Sequence, residues 1–432
     1  MIFSLDVRRA RKGDCLLLHF GTGDEPGLVM IDGGPNNVYA PHLKPRLLEI
    51  RKARDLDGQE SLPVDLLMVS HVDDDHIQGI LDLTRELQAS AGNQAPLVRV
   101  LSFWHNSFDE VIGNDPAELT ACVSGQFGVA SLNGGLPSDT TIELGDAASA
   151  EEKEVAKSTL LVLASIEQGH RLRGDAETLG WERNAEFDGK LVLGGKKALE
   201  IDDGLKFTVA GPMVPELKQL KKKHDQWLKT RKKKSGEAAL AAYVDQSVPN
   251  LSSIVVLAES GGKRMLLTGD ARGDKILKGL EFAGVLKKGG TMHVDVLKVP
   301  HHGSSNNLDD DFFERITAEH YVFSGNGEHG NPERESMEML FKARGKEPFH
   351  IHLTYPINEI DAERKADWNK EQAKEKKKKA AGGKKKPREN WSPAKHSLAA
   401  FFKSKKLAKG QKIHIVDQKK PHVIDLLDSL GY

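Results

Sequence analysis

The chain has 432 residues, of which 38% are hydrophobic and 29% charged, and its formal net charge at pH 7 is −1. This composition is typical of a globular protein and excludes a fibrous or intrinsically disordered one, and the length allows one large domain with insertions or two to three ordinary domains. No apolar run approaches the roughly 20 residues of a membrane-spanning helix, and the N-terminus lacks the charge order of a signal peptide. We therefore expect a cytoplasmic protein without membrane contact.

Apolar runs separated by turns predict alternating strands and helices in the first 90 residues. The predicted elements are strands at 16–20, 28–32 and 63–70, and helices at 41–54 and 76–90. The sequence SHVDDDH (70–76) joins the last strand to the last helix. Its three adjacent carboxylates repel one another unless a positive charge lies among them or they fan into water.

The middle of the chain, about 92–205, is predicted to be a large insertion that covers the functional site described below. Further strands are predicted at 98–104, 190–195, 206–212, 252–259, 263–270, 294–299, 319–325, 350–355 and 412–417. Further helices are predicted at 158–180, 215–236, 271–286, 333–345 and 394–403. This order predicts an α/β domain over 1–345, followed by a C-terminal extension over 346–432 with a lysine-rich flexible loop at 370–390.

Two segments, 218–234 and 374–388, each hold nine basic residues against one acidic residue, which leaves about −17 for the rest of the chain. Such patches favour an anionic partner, nucleic acid first, although lysine runs are equally often solvated linkers. The first segment has apolar residues at helical spacing and is predicted as a basic amphipathic helix. Its candidate nucleic-acid contacts are Lys221, Lys222, Lys223, Arg231, Lys232 and Lys233.

Histidine and aspartate side chains follow the last apolar residue of five separate strands. They are Asp32, the SHVDDDH loop, Asp270, the His301-His302 pair and His329. Loops at one end of neighbouring strands converge, so we expect a cluster of carboxylates and imidazoles that needs a cation. Cys15 and Cys122 are the only cysteines, too few for a thiolate zinc site, so the ligands must be histidine and carboxylate.

Each of these elements alone has a simpler explanation. The aspartates of SHVDDDH could cap the following helix. Asp32 and Asp270 could each belong to an ordinary turn, and His329 could be a loop histidine. Their occurrence together favours the metal site.

The motifs resemble those of the metallo-β-lactamase fold hydrolases. IDGG, SHVDDDH, NLSSIVVL, LLTGD, VLKVPHHGS and GEHGNP occur in the order and approximate spacing of that family, and KGDCLLLHF resembles the opening of the ComEC-type hydrolase domains. The likeness covers about residues 3–90 and 206–345. It implies a four-layer αββα sandwich with a large middle insertion and a C-terminal extension, and a centre of two divalent ions, Zn²⁺ or Mn²⁺.

The resemblance also implies roles for individual residues. Asp270 would bridge the two ions. The remaining ligands would form two sets: His71, Asp73 and one of His301 and His302, with His302 favoured; and Asp75, His76 and His329. The candidate catalytic residues are Asp75, Lys298 and His301, and the residues expected to orient ligands are Asp32, Asn250 and Ser253.

Two departures from the general family pattern affect this expectation. Asp73 stands where the HxHxDH pattern has its second histidine, a change shared with the ComEC-type proteins, and the separate histidine before LLTGD is missing. Three aspartates among seven ligands make the site harder and favour Mn²⁺ over Zn²⁺ without excluding zinc.

Three functions agree with the sequence. The first is a phosphodiesterase that acts as a nuclease on DNA or RNA. This function includes that of an effector in a bacterial defence or toxin system. The second is a hydrolase of a small phosphoester, phosphocholine ester, cyclic nucleotide or lactone, since one fold hosts many substrates. The third is a subunit regulated by a protein partner or by an activating protease that cuts the lysine-rich loop.

Overall fold

Two β-sheets form the centre of the molecule. The computed structural model describes residues 1–56, 60–90, 95–107, 168–202, 204–215, 217–218, 252–380, 382, 385–417 and 420–432. The predicted basic helix lies almost entirely outside these ranges, as do most of the predicted insertion, Cys122 and Asn250. In the described part, no helix is long and apolar enough to cross a membrane.

The first sheet has six strands in the order β14-β1-β2-β3-β4-β5. Their bounds are β1 Ile2–Val7, β2 Leu16–Gly21, β3 Pro26–Ile31, β4 Leu62–Val69, β5 Val98–His105 and β14 Val423–Asp425. β3, β4 and β5 are parallel, whereas the other neighbours are antiparallel. The parallel register places the ends of β3 and β4 side by side, and the Asp32 amide donates to the Met68 carbonyl at 2.9 Å.

The second sheet has eight strands in the order β13-β12-β11-β10-β9-β8-β7-β6. Their bounds are β6 Leu199–Asp202, β7 Leu205–Gly211, β8 Val255–Ser260, β9 Lys263–Leu267, β10 Met292–Lys298, β11 Ile316–Phe323, β12 His350–Leu353 and β13 Lys412–Ile415. From β9 to β13 all neighbours are parallel. The loops after β9, β10 and β11 therefore open at one edge.

Helices pack on the outer face of each sheet. Their bounds are α1 Lys44–Ala53, α2 Asp74–Ala89, α3 168–178, α4 Gly273–Ala283, α5 Asp310–Arg315, α6 Arg334–Arg344, α7 Ile357–Ala380, α8 Pro393–His396 and α9 Leu398–Ser404. One apolar core joins α1, α2 and α3 to the first sheet, and a second joins α4, α5, α6 and α9 to the second sheet.

A third core lies between the two sheets. Phe3 and Met68 of the first sheet share it with Phe207 and Val296 of the second. Burial of large apolar side chains on both faces of each sheet explains why the strands are nearly continuous apolar runs. The chain is therefore a mixed α/β protein with two packed sheets.

Most predicted elements coincide with observed ones, and two differ. The predicted strand at 190–195 is wrong, because the side-chain amide of Asn106, and not a neighbouring strand, bonds the backbone of Val192, at 2.8 and 2.9 Å. The lysine-rich loop predicted for 370–390 is helical as far as Ala380. The strands β1, β6 and β14, the helix α5 and the part of α7 before residue 370 were not predicted. The domain boundaries themselves stay predictions, although β12, β13 and β14 all come from the proposed C-terminal extension.

Candidate metal centre

The SHVDDDH stretch leaves β4 after Val69 and enters α2 at Asp74. Asp73 is the last extended residue before the helix, and its side chain makes no capping hydrogen bond to it. Asp74 is turned aside and accepts a hydrogen bond from Gln168 Nε2 at 3.2 Å. The geometry thus departs from a simple helix cap and leaves the side chains on either side of Asp74 for another use.

Four histidine rings converge on the buried carboxylate of Asp270. Oδ1 of Asp270 lies 3.3 Å from His302 Nε2 and 3.4 Å from His76 Nε2. Oδ2 lies 3.6 Å from His301 Nε2 and 3.7 Å from His71 Nε2. Each oxygen of Asp270 therefore faces its own pair of imidazoles.

A further carboxylate joins each pair. Asp73 Oδ2 is 3.5 Å from His71 Nε2, and Asp75 Oδ2 is 3.8 Å from His302 Nε2. We call His71, Asp73 and His301 the outer donor set, and Asp75, His76 and His302 the inner donor set. The predicted division favoured His302 for the set with His71 and Asp73; the Asp270 oxygen that faces His71 also faces His301, and which of His301 and His302 is a ligand of that set stays a prediction.

Several donor atoms of this centre are buried and lack a hydrogen-bond partner among the residues that the structure describes. They are His71 Nε2, His76 Nε2, His302 Nε2 and Asp270 Oδ1. A buried polar atom without a partner is costly, and native proteins seldom leave one. Four such atoms facing one another fit a bound cation, and nitrogen with carboxylate oxygen is a donor set that both Zn²⁺ and Mn²⁺ accept.

Asp32 is hydrogen-bonded to His76 of the inner donor set. Its carboxylate accepts hydrogen bonds from the Ser70 amide at 2.7 Å, from Ser70 Oγ at 2.7 Å and from His76 Nδ1 at 2.8 Å. With the proton of His76 on Nδ1, the lone pair of Nε2 is directed toward Asp270. Ser253 also lies behind the centre, where its hydroxyl accepts a hydrogen bond from the Asp270 amide at 3.3 Å.

Asp14 is a member of this region that the sequence did not single out as a site residue. It is buried, forms an ion pair with Lys298, accepts a hydrogen bond from Ser324 Oγ, and lies 3.4 Å from His302 Nδ1. Burial alone would raise the pKa of Asp14, but Lys298 and then His302 hold it below its usual range. The only sequence signal was the Gly-Asp of KGDCLLLHF, which contributed to the resemblance alone.

Lys298 lies buried beside the centre. Its side chain is 1% exposed, pairs with Asp14 and donates to the Gly269 carbonyl at 3.2 Å. Its Nζ is also 4.0 Å from Asp270 Oδ1. Lys298 therefore holds Asp14 in place, and its predicted catalytic role stays a prediction.

The charges of the centre depend on one another. Burial lowers the pKa of His302, but Asp270 and Asp14 outweigh it and raise the pKa to about 9. His76 behaves likewise, with Asp270 and Asp32 raising its pKa well above the usual value against the effect of burial. The carboxylates thus favour positive charge at this point, which a divalent cation would supply in place of the protons.

Left-handed backbone is concentrated in the loops of the centre. Asp32, His301, His302 and His329 have φ angles of 58°, 47°, 54° and 57°. Such conformations cost energy for residues other than glycine and are typical of functional sites, where the surrounding structure imposes them.

His329 lies at the margin of the centre, in the wall of a polar cavity of about 460 Å³. The charge of Asp75 is among those that influence its pKa, which burial lowers overall. The distances around Asp270 do not include His329, so its role as a ligand stays a prediction. The six candidate nucleic-acid contacts between Lys221 and Lys233 lie outside the described residues, as does Asn250.

Comparison with known proteins adds little to this geometry. No family model matches the chain. A stretch of 85 residues, 19% of this chain, is 33% identical to microtubule-associated protein 1A of Rattus norvegicus. A stretch of 81 residues, 18% of this chain, is 32% identical to the Mus musculus protein. The matches span 3% of the length of each relative.

Two solved structures align over much of the chain. A protein of Parabacteroides distasonis ATCC 8503 that carries the provisional name metal-dependent hydrolase is 8% identical, with a TM-score of 0.30 and coverage of 81% of this chain and 97% of that one. A protein of unknown function from Enterococcus faecalis V583 is 11% identical, with a TM-score of 0.26 and coverage of 97% and 78%. Neither score is high enough to establish a shared fold.

Proposed function

We propose that the protein is a metal-dependent hydrolase of phosphodiester bonds, with nucleic acid as its substrate, built on the metallo-β-lactamase αββα sandwich that its motifs resemble. The observation that carries the proposal is the meeting, around both oxygens of Asp270, of three buried histidine nitrogens that have no hydrogen-bond partner among the described residues. Two divalent ions in such a site lower the pKa of a shared water and neutralise charge on the attacking and leaving oxygens.

The residues of the chain prepare this site before substrate arrives. Asp270 offers one oxygen to each donor set, and Asp32 fixes the tautomer of His76. Because positions are held by buried hydrogen bonds, little reorganisation is needed when charge develops on the substrate. No serine or cysteine nucleophile is required.

Asp73 and His301 of the outer donor set mark the side from which substrate approaches. His301 is 24% exposed and Asp73 is 26% exposed, whereas His76 and His302 are at most 2% exposed. We assign His301 to the outer donor set. Of the four histidines around Asp270, it would be the nearest to a bound phosphodiester. Asp75, predicted as catalytic, is 20% exposed and belongs to the inner donor set.

The basic segments supply the argument for nucleic acid. Lysines that neutralise phosphates release counterions from the nucleic acid, so binding weakens steeply as salt is added. The described part of the second segment places Lys376, Lys377, Lys378 and Lys379 in the last turns of α7, where all four are exposed. A row of lysines on a helix end fits a polyanion better than a small neutral ester.

A nuclease assay tests the proposal. Metal-stripped protein is supplied with Mn²⁺ or Zn²⁺ and incubated with plasmid and single-stranded DNA, beside the Asp75→Ala/His76→Ala variant. The matched control is His293→Ala, which removes an exposed histidine of β10 whose Nδ1 is hydrogen-bonded to Thr317 Oγ1. We expect cleavage by the native chain and the control and none by the double variant; equal cleavage by all three would contradict a role for this centre.

The cavity beside His329 favours a second candidate, the hydrolysis of a small phosphoester. Its volume of about 460 Å³ is within the range of small-molecule pockets. Trp368 and Trp391 line it, and the guanidinium groups of Arg388 and Arg364 lie over their rings at 5.0 and 5.7 Å. Two arginines beside aromatic rings suit a phosphate joined to an organic group, although the carboxylates of Glu333, Glu335, Asp367 and Glu371 also line the cavity.

A panel of chromogenic phosphodiesters separates the two candidates. If a small ester is the substrate, the Trp391→Ala variant raises KM for that ester and leaves plasmid cleavage unaffected. If nucleic acid is the substrate, the native chain cleaves DNA far faster than any member of the panel.

A further inference from the structure

Five histidines lie together on the second sheet, away from Asp270. His320 is on β11, His350 and His352 are on β12, His414 is on β13, and His422 precedes β14. We call them the histidine cluster. The parallel register sets His320 opposite His350 and His352 opposite His414, and the alternation of side chains along β12 puts His350 and His352 on one face.

The rings of the histidine cluster are in direct contact. His320 Nδ1 is 2.9 Å from His352 Nε2, and His352 Nδ1 is 2.7 Å from His422 Nε2. The ring of His414 stacks on that of His352 with centroids 4.7 Å apart. One nitrogen from each of His320, His350 and His352 lies within 4.8 Å of the others, close enough for one ion to reach all three.

Two features separate this arrangement from an ordinary packing of imidazoles. His352 is 4% exposed and surrounded by the other four rings, and the buried Nε2 of His414 has no hydrogen-bond partner among the described residues. An imidazole nitrogen left without a partner in such a place is costly unless it binds something.

Burial favours the neutral form of the imidazoles in the cluster. Burial, with the neighbouring His350 and His414, lowers the pKa of His320 to about 4, although Glu319 opposes this. Burial also lowers the pKa of His350 and of His414. Neutral imidazoles are ligands for transition metals, whereas imidazolium ions are not.

We propose that the histidine cluster is a separate metal site, which binds a borderline divalent cation such as Zn²⁺ through His320, His350 and His352. The donors are all imidazole nitrogens, which suit Zn²⁺, Ni²⁺ and Cu²⁺ and disfavour the harder ions that a carboxylate-rich centre accepts. The bound ion would join β11 and β12, with His414 of β13 stacked against the ligand His352. This site does not depend on the proposed hydrolase activity.

Zinc content measured in two backgrounds tests the proposal. The full chain and an Asp270→Asn variant, which weakens the first centre, each receive His350→Gln and His414→Gln together. These two positions are partly exposed, so glutamine is tolerated there more readily than at His352. The matched control is His293→Gln on β10.

After metal removal and dialysis against Zn²⁺, we expect the double glutamine change to remove one equivalent of zinc in both backgrounds, and His293→Gln to remove none. We also expect the visible absorption of Co²⁺ bound to the Asp270→Asn protein to disappear with the double change. Circular dichroism of each metal-free variant checks that it is folded.

An equal zinc content with and without the double change, in variants that are folded, would overturn the proposal and identify the cluster as a hydrogen-bonded chain of imidazoles only. Loss of the hydrolase activity in the Asp270→Asn variant, with the zinc equivalent of the cluster retained, would leave this site intact. The failure of one proposal is therefore distinguishable from the failure of the other.

Discussion

Gly79 fixes how closely α2 approaches the loop that follows β3, and replacing it by alanine should displace the inner donor set. An added Cβ at Gly79 would lie 1.9 Å from the Gly33 carbonyl oxygen, where real Cβ contacts are never below 3.0 Å. The helix is tied to this loop by backbone hydrogen bonds from Gly33 to His76 and from Gly79 to Gly34, at 2.8 and 2.9 Å. The alanine variant must therefore move α2 by about 1 Å or more.

Two effects of opposite sign determine how much Gly79→Ala changes the free energy of unfolding. Alanine in a helix interior is favoured over glycine by about 0.5–1 kcal/mol. Overpacking of a close contact costs about 1–3 kcal/mol or more, so we expect a net loss in the free energy of unfolding of Gly79→Ala. His76 lies one turn before Gly79, and a shift of about 1 Å at reacting groups can reduce the rate about 100-fold.

The control is Gly174→Ala in α3, because a Cβ there meets no atom within 4 Å. Urea unfolding of both variants, with their zinc content, measures the difference. We expect Gly174→Ala to be as stable as the native chain or more so, and Gly79→Ala to be less stable with less bound metal. A Gly79→Ala variant that matches Gly174→Ala in both measurements would refute the argument from close approach.

Four further predictions follow from other parts of the chain. Asp32→Asn should lower the affinity of the centre for Zn²⁺ about 10- to 100-fold in competitive dialysis, since the His76 imidazole loses its charged carboxylate partner, whereas an unchanged affinity would show that the charge of Asp32 does not support His76. Burial lowers the pKa of His19 to about 3 in the folded chain, so on acidification the unfolded chain is protonated at this histidine before the folded one. The free energy of unfolding should therefore fall by about 1.4 kcal/mol per pH unit as pH drops from about 6.5 toward 3. His19→Leu should remove that part of the slope, and an identical slope would contradict it. Replacing Lys221, Lys222 and Lys223 by alanine should reduce the salt dependence of DNA binding by about one unit of slope per lysine, whereas alanine at the exposed Lys287 and Lys288 should not. Tryptic cleavage between Ala380 and Arg388 should change the activity if this segment is regulatory, and unchanged activity would remove that possibility.

The part of the site that follows from local sequence was predicted. The apolar run of β4 ends one residue before SHVDDDH, and the amphipathic spacing of α2 begins directly after it, so the loop between them was evident. Parallel pairing of strands then brings the loop ends together, which explains why the histidines and Asp270 meet.

The contacts that depend on distant pairing were not predicted. Asp14 and Lys298 lie 284 positions apart, and nothing in either neighbourhood indicates that the two side chains meet. The pairing of β14 with β1 likewise joins Ser4 to Asp425. The assignment of His301 and His302 to different sides of Asp270 depends on two consecutive left-handed residues, which the letters HHG do not reveal.

The lysine-rich segment shows how composition can mislead. Charge and the AAGG stretch indicated a flexible loop, yet lysine and alanine are good helix formers, and α7 continues through Ala380 until the glycines. Glu375 and Arg388 then join the helix to the returning chain through bonds of 3.0 and 3.1 Å.

The central claim is that the oxygens of Asp270 are shared by two divalent cations, and anomalous diffraction from a crystal soaked in Zn²⁺ or Mn²⁺ tests it most directly. We predict two anomalous peaks, one between Asp270 and the outer donor set and the other between Asp270 and the inner donor set, each at about 2.0–2.2 Å from its histidine nitrogens. A crystal with no peak at Asp270, while the same soak labels the histidine cluster, would contradict the account.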